Sequence, residues 1–337
     1  MAVTIKDVAK RVGVATSTVS RVLKDNPNIS EETKRKVRQA IAEMGYVPNS
    51  TAQNLASRTT QNIGLILPPF TTPERSSDPF FMVMISEVSQ VLNEKGYTAT
   101  IVSQYDVESL AKTVQQMHQN KRVDGFILMY SLADDPVLNY LLSEDIPFVM
   151  LGTPAQYANE IRYIDNDNLM LGRTATQFLL QQGHQRIVFA SPNRAEFVYQ
   201  ERFNGYYLEM KSHHLQPVDQ FALENPSDVE RFIEMIRLNR PTAMVVSDDL
   251  FAVKMIPFLA IQGLKVGENF ALISINNSIF STLSHPYLTT VDIHIKELAE
   301  QSAQLILKVL QDDNTPLTKY IIPHQIVVRE TTPTTWE

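Results

Sequence analysis

The chain has 337 residues, of which 44% are hydrophobic and 20% charged, and its formal net charge at pH 7 is -7. This composition suits a globular protein with more than one buried core, and no apolar run approaches the roughly 18 residues needed to cross a membrane. The chain has no cysteine, which excludes disulfides, thiolate metal ligands and cysteine nucleophiles. The first ten residues lack the apolar core of a secretory signal, so we expect a cytoplasmic protein.

Charge is distributed unevenly along the chain. Residues 1–60 contain ten basic and five acidic residues, a balance of +5. The remaining residues contain 20 basic and 32 acidic ones, a balance of -12. A basic N-terminal segment on an acidic body indicates contact with a polyanion such as nucleic acid, and a solvated helical surface is the alternative.

Three short helices are predicted in the N-terminal segment. Apolar residues recur at helical spacing within residues 5–12, 19–23 and 37–44. Thr4 and Ser30 stand where N-caps are expected, and Gly13 and Gly45 stand where helices end. Two short helices joined by a tight turn and braced by a third are typical of a helix-turn-helix, which we expect to occupy residues 1–47.

The second predicted helix, "TSTVSRVL", leaves short polar side chains and one arginine outside its apolar stripe. Thr16, Ser17 and Arg21 should face outward near its N-terminal half, where a recognition helix contacts base edges. Arg21 can donate two hydrogen bonds to one guanine, and the two hydroxyls can reach neighbouring bases. An ordinary capped surface helix is the alternative. The candidate phosphate contacts are Thr4, Thr18, Ser20 and Ser30.

Two stretches of the N-terminal segment carry a specific resemblance. "TIKDVAKRVGVATSTVSRVL" and "ISEETKRKVRQAIAEMGYVPNSTAQNLA" resemble, almost without gaps, the N-terminal signature of the LacI/GalR family of bacterial transcription regulators. One departure is Ala15, because relatives usually have a serine there that caps the recognition helix. The resemblance implies a homodimer that binds a palindromic double-stranded DNA operator and responds to a small sugar.

Residues 48–60 are expected to form the hinge helix and linker of such a regulator. A helix of about two turns is marginal in water by itself, so it needs a partner. The resemblance implies that two hinge helices, one from each subunit, lie in the minor groove, with Leu55 as a wedge between base pairs. An ordinary polar linker is the alternative. The residues expected in this contact are Asn49, Ala52, Leu55 and Ala56.

From residue 61 onward, apolar runs of strand length alternate with longer amphipathic stretches. The runs are "IGLIL", "YTATIV", "GFILMY", "PFVML", "RIVFA", "AMVVS" and "FALISI". This alternation predicts an α/β body of doubly wound parallel sheets, which bind ligands at the carboxyl ends of their strands. Hydroxyls, amides and an occasional carboxylate follow several runs, and they suit a polyhydroxylated ligand better than a phosphate.

The resemblance divides this body, residues 61–330, into two subdomains of the periplasmic-binding-protein type that the chain crosses three times. Subdomain one is expected to comprise about 61–160 and 293–320, and subdomain two about 161–290 and 321–330, with 331–337 as a tail. Arg202, in "RFNGY", matches the arginine that holds the effector in relatives. The other expected effector contacts are Phe80, Phe81, Ser247, Asp248 and Asn276; the two phenylalanines could equally be core residues.

Within the family, "LGTP", "YIDNDN" and "SINNS" look most like the maltose-operon repressors of Gram-positive bacteria. We therefore expect a repressor of sugar-utilisation genes whose inducer is maltose or a short malto-oligosaccharide. Asn276, where relatives usually have aspartate, leaves the identity of the effector open. One alternative is a global catabolite-control regulator with a phosphoprotein corepressor. Another is a sugar-binding protein without a regulatory role.

Enzyme motifs are missing from the sequence. No two glycines form a GxG pair, and neither HExxH nor GxSxG occurs. We therefore expect no catalytic residue, no bound metal and no cofactor. The C-terminal "RETTPTTWE" lacks the leucine heptads of a tetramerising coiled coil, which makes a dimer the expected assembly.

Overall fold

The computed structural model describes residues 3–23, 25–46, 59–69, 79–194, 196–222, 226–283, 285–311 and 319–333. The chain divides into two compact units, Met1–Thr60 and Gln61–Glu337. The described part of the first unit is helical, and the second unit is built on two sheets.

Three helices form the N-terminal unit: α1 (Ile5–Val12), α2 (Thr16–Leu23) and α3 (Glu31–Met44). Gly13 and Gly45 end α1 and α3 with φ angles of 76° and 62°, a left-handed conformation that glycine adopts without strain. The predicted helix-turn-helix is therefore confirmed. Its core consists of the apolar residues that the helical spacing predicts, Val8, Ala9, Val19, Val22, Val37 and Ala40.

Charged side chains hold the connection between α2 and α3. The ammonium of Lys34 lies 3.2 Å from a carboxylate oxygen of Asp25 and 2.9 Å from one of Glu31. Arg38 donates to the same oxygen of Asp25 at 2.6 Å. Because both cations stand on α3 and Asp25 closely follows α2, these ion pairs tie the end of α2 to α3.

The second unit contains two six-stranded sheets. The first has the order β11-β5-β4-β3-β1-β2, with every pair parallel. Its strands are β1 (Asn62–Ile66), β2 (Thr98–Val102), β3 (Gly125–Leu128), β4 (Phe148–Leu151), β5 (Tyr163–Asn166) and β11 (Lys319–Ile322). The second has the order β12-β10-β9-β8-β6-β7, in which only β12 is antiparallel to its neighbour. Its strands are β6 (Ile187–Ser191), β7 (Phe221–Ala222), β8 (Ala243–Val246), β9 (Ala271–Asn276), β10 (Thr289–Asp292) and β12 (Gln325–Val327).

Helices cover both sheets. Those of the first are α4 (Pro79–Glu94), α5 (Val107–Gln119), α6 (Pro136–Ser143) and α11 (Ile295–Gln311); those of the second are α7 (Asn168–Gln181), α8 (Phe197–Ser212), α9 (Pro226–Asn239) and α10 (Asp249–Ile261). Strands β3 and β8 are buried at every residue, as expected for parallel strands covered on both faces. The predicted doubly wound α/β body is therefore confirmed. Among the described helices, none combines the length and apolar character needed to cross a bilayer.

The chain passes between the two sheets after β5, after β10 and after β11. We expected the first crossing near residue 161, but Tyr163–Asn166 pairs with β4 and β11, so the crossing follows Asn166. The third crossing likewise follows Ile322 and not residue 320. Strands β5 and β11 contain polar residues, so a hydrophobicity pattern does not predict them. The sheet that each strand joins is set by the strands it pairs with.

One buried amide links the three crossings. The side-chain nitrogen of Asn166 donates to the carbonyl of Ile293 at 3.1 Å and to that of Ile322 at 3.0 Å. Asn166 ends β5, Ile293 directly follows β10 and Ile322 ends β11. The segments that join the two subdomains are therefore hydrogen-bonded to one another through a single side chain.

Candidate functional site

Helix α2 presents polar side chains on the face that its core residues leave free. Thr16, Ser17 and Arg21 are exposed, whereas Val19 and Val22 are buried against α1 and α3. The structure therefore puts the three candidate base contacts on the surface of one short helix. The candidate phosphate contacts Thr18 and Ser20 are half-buried beside them.

The other two candidate phosphate contacts lie at helix N-termini. The Thr4 hydroxyl donates to the Asp7 carboxylate at 2.7 Å, and the Ser30 hydroxyl accepts from the backbone nitrogen of Thr33 at 3.3 Å. Helix N-termini attract anions through their free N–H groups. The candidate minor-groove residues Asn49, Ala52, Leu55 and Ala56 lie outside the described residues.

In the second unit, Arg202 on α8 is the centre of a buried polar network. The side chain is 5% exposed, and its Nε donates to Oδ1 of Asn168 at 3.0 Å. Its Nη1 donates to the carbonyl oxygen of Ser247 and, at 3.5 Å, to Oδ1 of Asn276. Ser247 follows β8 and Asn276 ends β9, so the guanidinium lies at the carboxyl edge of the second sheet.

Two glycines bring Arg202 to this position by letting α7 and α8 cross closely. A Cβ atom on Gly172 would lie 1.9 Å from the carbonyl oxygen of Arg202. A Cβ atom on Gly205 would lie 2.0 Å from the carbonyl oxygen of Leu169. Because only hydrogen fits at these two points, the helices approach until Arg202 reaches Asn168, the first residue of α7.

Asn168 connects this network to the first sheet. Its side-chain nitrogen donates to both carboxylate oxygens of Asp165, at 3.1 and 3.0 Å. Asp165, on β5, also accepts from the backbone nitrogen and the hydroxyl of Thr153 at 2.7 and 2.8 Å. Since Thr153 follows β4, the network joins the carboxyl ends of strands from both sheets.

Asp248 adds a second buried carboxylate beside the guanidinium. It caps α10, accepting from the backbone nitrogen of Phe251 at 2.7 Å, and the Ser247 hydroxyl donates to its other oxygen at 3.2 Å. The hydroxyl of Ser247 is thus used within the protein, and its carbonyl is the group that meets Arg202. The structure brings together four of the expected effector contacts, Arg202, Ser247, Asp248 and Asn276.

The network contains one guanidinium and more than one carboxyl group. Arg202 interacts electrostatically with Asp165, Asp248 and Asp249, and burial lowers the pKa of its guanidinium. Burial raises the pKa of Asp165 and of Asp248, while hydrogen bonds and the nearby guanidinium act in the opposite direction. One guanidinium and two buried carboxyl groups, those of Asp165 and Asp248, thus stand in one hydrogen-bonded network.

Phe80 and Phe81 lie at the beginning of α4, on the first subdomain. Their rings meet edge to face with centroids 5.3 Å apart. Both are half-buried and pack against the core beneath the first sheet. Part of each side chain therefore stabilises the core, and part of it remains exposed.

Several residues of the network are absent from our sequence-based set of effector contacts. Asp165 and Asn168 belong to "YIDNDN", and their acid and amide groups were the available signal. Asp249 stands next to the predicted Asp248, but the sequence does not show that both adjacent carboxyl groups are buried. The close approach at Gly172 depends on helix packing and leaves no local pattern.

A separate cavity of about 530 Å³ lies against the edge strand β7. Its walls include Phe203, Phe221, Arg231 and Leu238, whereas Arg202, Asp248 and Asn276 do not line it. This cavity is therefore not part of the polar network. Among the described residues, no group of three or more histidine, aspartate or glutamate side chains is arranged to hold a metal ion.

Comparison with known proteins finds one family match in each unit of the chain. Residues 4–49 match the family described as bacterial regulatory proteins, lacI family, and residues 176–332 match a periplasmic binding protein-like domain. The HTH-type transcriptional regulator MalR of Staphylococcus xylosus is 30% identical over 345 residues, covering 99% of this chain and 99% of that protein. MalR of Streptococcus pneumoniae is 32% identical over 339 residues, covering 97% and 99%.

Among solved structures, the fold is similar to that of the lac repressor dimer bound to operator and the anti-inducer ONPF. The TM-score is 0.82 at 24% identity, and the match covers 98% of this chain and 99% of that one. The two MalR relatives are named as transcriptional regulators and not as enzymes. The helical unit and the two-sheet unit thus occur together, over the whole chain, in proteins that control transcription.

Proposed function

The chain belongs to the lacI family of bacterial regulatory proteins and is a transcriptional repressor rather than an enzyme, and we propose that it represses genes for the use of maltose or short malto-oligosaccharides. The similarity of the whole chain to two MalR proteins supports this choice of sugar. In this proposal the repressor acts in the cytoplasm as a homodimer on a palindromic operator, and the sugar releases it.

Operator recognition is assigned to the exposed face of α2. Arg21 would donate two hydrogen bonds to a guanine in the major groove, with Thr16 and Ser17 on neighbouring base edges. Thr4, Thr18, Ser20 and Ser30 would contact phosphates, which position the helix without reading sequence. The segment 48–60, with Leu55 as its apolar wedge, would enter the minor groove at the operator centre.

Effector binding is assigned to the network around Arg202, and this network is the observation that carries the proposal. Arg202 is held by Asn168 and Ser247, so its remaining donors point in a fixed direction. Sugar hydroxyls both donate and accept hydrogen bonds, so they can pair with the guanidinium, with Asp248 and with the amide of Asn276. The excess of carboxyl groups supports a neutral sugar over a phosphorylated one.

Release from DNA follows from a ligand that touches both subdomains. A sugar held between the strand ends of the two sheets would favour one arrangement of the subdomains over another, and the hinge segments of the two subunits would separate. The change in operator affinity is limited by the difference in effector affinity between the two states, typically about 1–3 kcal/mol of coupling.

The test is fluorescence anisotropy of the whole protein on a labelled palindrome of the family type with a central CG step. Salt is held constant, because phosphate contacts make DNA affinity strongly salt-dependent. Maltose, maltotriose, glucose and glucose 6-phosphate are titrated into the complex. A scrambled duplex of the same length controls for nonspecific binding, and Arg21→Ala controls for base recognition.

We expect specific binding that maltose or maltotriose releases and that glucose 6-phosphate does not. Specific binding that no sugar alters would reject the maltose effector and favour a regulator with a phosphoprotein corepressor. Equal affinity for the palindrome and the scrambled duplex would reject the assigned operator recognition.

A further inference from the structure

Asp249, the first residue of α10, has a buried carboxylate that faces hydrogen-bond donors. The residue is 1% exposed. Its Oδ1 accepts from the Ser274 hydroxyl on β9 at 2.5 Å and from the Thr290 hydroxyl on β10 at 2.8 Å. Its Oδ2 accepts from the backbone nitrogen of Ser278 at 2.5 Å. This carboxylate therefore ties the start of α10 to two strands and to the loop after β9.

The hydrogen bonds continue into the loop that carries Asn276. Because the Thr290 hydroxyl gives its proton to Asp249, the lone pairs of its oxygen are free to accept, and the backbone nitrogen of Asn277 donates to it at 3.2 Å. Asp249 thus holds two consecutive backbone N–H groups, that of Ser278 directly and that of Asn277 through Thr290.

The loop needs such support because its backbone is unusual. Asn276 and Asn277 have φ angles of 119° and 55°, a region that residues other than glycine rarely occupy without tertiary contacts. The side chain of Asn277 is held separately, by Asp292 and by Arg329. The side chain of Asn276 meets Arg202 at 3.5 Å, so its position depends on the backbone of the loop.

We propose that Asp249 is a positioning residue for effector binding: its carboxylate fixes the loop 276–278 so that the Asn276 amide stands beside Arg202. The inference rests on the proposed function, in which Arg202, Asp248 and Asn276 bind the sugar. Asp249 acts through the loop and does not itself touch the ligand. Its role therefore differs from that of Asp248, the neighbouring carboxylate.

The chemistry requires an acceptor at this position. Ser274, Ser278 and Thr290 all donate to the carboxylate, and neither of its oxygens carries a proton when it is ionised. An asparagine of the same shape would have one acceptor oxygen and one NH₂ group, which would face groups that also donate. One of the N–H or O–H donors would then lose its acceptor. We expect the lost hydrogen bond to be one that holds the loop, so that the loop moves.

The test uses the whole protein and three variants of this network. Asp249→Asn removes an acceptor, Thr290→Val removes the hydroxyl that relays to Asn277, and Thr290→Ser keeps that hydroxyl. Asp106→Asn is the matched control, because Asp106 is an exposed cap of α5 that accepts from Ser109 at 2.7 Å in the other subdomain. Amide hydrogen exchange of residues 271–283, maltotriose affinity by calorimetry and operator affinity by anisotropy are measured for each protein.

We expect Asp249→Asn and Thr290→Val to speed exchange in the loop and to weaken maltotriose binding by about tenfold, the cost of one hydrogen bond to a charged group. The double variant, with both Asp249→Asn and Thr290→Val, should bind maltotriose as well as the single variant that has the lower affinity, since both substitutions act on one network. Operator affinity without sugar should stay within about twofold of wild type, as should every property of Thr290→Ser and Asp106→Asn.

Unchanged exchange in the loop of Asp249→Asn would overturn the inference, whatever the wild type binds. So would a loss of operator affinity parallel to the loss of sugar affinity, because that indicates general unfolding and not local positioning. If wild type binds neither maltose nor maltotriose, the proposed effector is wrong. The exchange data then decide by themselves whether Asp249 holds the loop.

Discussion

Arg202, the arginine proposed to bind the effector, shows how burial and hydrogen bonds make a flexible side chain rigid. An exposed arginine samples many rotamers, whereas this one is held at Nε by Asn168 and at Nη1 by Ser247. The conformational entropy of the side chain is thus lost during folding and not during ligand binding. Rigid, pre-oriented donors are what a site for a hydroxylated ligand requires.

Arg202→Ala should therefore abolish the response to sugar and leave operator binding nearly intact. We expect maltotriose affinity to fall by at least tenfold, since charge-assisted hydrogen bonds are lost. Calorimetry measures the affinity for maltotriose, and fluorescence anisotropy measures the affinity for operator DNA. Arg231→Ala, in the separate cavity, is the matched control and should keep sugar affinity. A parallel loss of operator affinity in Arg202→Ala would instead indicate that the arginine mainly stabilises the fold.

Asp249 allows a prediction about pH. Burial raises the pKa of this carboxyl from 3.8 to about 6. Between these values the folded protein keeps a proton that the unfolded chain has released, so the group's contribution to the free energy of unfolding is largest at low pH, falls as pH rises to about 6, and is constant above.

Wild type should accordingly lose stability relative to Asp249→Asn, by about 2–3 kcal/mol, as pH rises across this window. Urea unfolding of both proteins at several pH values between 4 and 7 measures the difference, and all other titrating groups cancel because both proteins contain them. A difference that does not change with pH would contradict a raised pKa at Asp249.

Among the helices and strands, hydrophobic periodicity predicts those in which buried and exposed residues follow a regular pattern. The seven apolar runs quoted from the sequence each overlap a strand, and the three N-terminal helices lie at the predicted positions. Strands β5, β11 and β12 escape such a pattern because they are short and mix polar with apolar residues. The crossing of α7 and α8 escapes it too, because a glycine contact depends on two segments that are 33 residues apart in the chain.

Gly205→Ala tests the role of that crossing. A methyl group there would meet the carbonyl oxygen of Leu169 at 2.0 Å, so α7 and α8 must move apart. We expect the free energy of unfolding to fall by about 1–3 kcal/mol, as for other overpacked cores, and sugar affinity to fall because Arg202 shifts. Thermal unfolding and calorimetry measure the two effects.

Gly183→Ala is the control for this substitution, because a Cβ atom there would meet no other atom within 4 Å. Its φ angle of 92° predicts a local backbone strain that should lower stability without changing sugar affinity. Equal sugar affinity in Gly205→Ala and wild type would show that the close crossing does not position Arg202.

At the scale of the whole molecule, the fold class and the number of crossings follow from the sequence and its family resemblance, but the residues at which the first and third crossings occur do not. Strand order depends on pairings between segments as distant as 163–166 and 319–322. No local pattern reports such a pairing. The amide of Asn166, which joins the crossings, is likewise recognisable only when Ile293 and Ile322 are beside it. Relative motion of the two subdomains must pass through this point.

Asn166→Asp should weaken that connection. An ionised aspartate has no proton to donate and would place a buried charge against two carbonyl oxygens. We expect the free energy of unfolding to fall by roughly 2–4 kcal/mol. Thermal unfolding measures it, with Asn239→Asp as the control, because Asn239 donates to one carbonyl at the exposed end of α9. Equal stability of Asn166→Asp and wild type would mean that the amide contributes nothing to the junction.

In the proposed function, operator and sugar compete through one conformational equilibrium of the repressor. The most direct measurement is the affinity of maltotriose for the free protein and for the protein saturated with operator, at the same salt concentration. Linkage requires the two affinities to differ by the same factor by which maltotriose weakens operator binding, and coupling of about 1–3 kcal/mol predicts a factor of roughly 5–150. Equal maltotriose affinity in the two forms would rule out release by this sugar, because a ligand that does not distinguish the two states cannot shift the equilibrium between them.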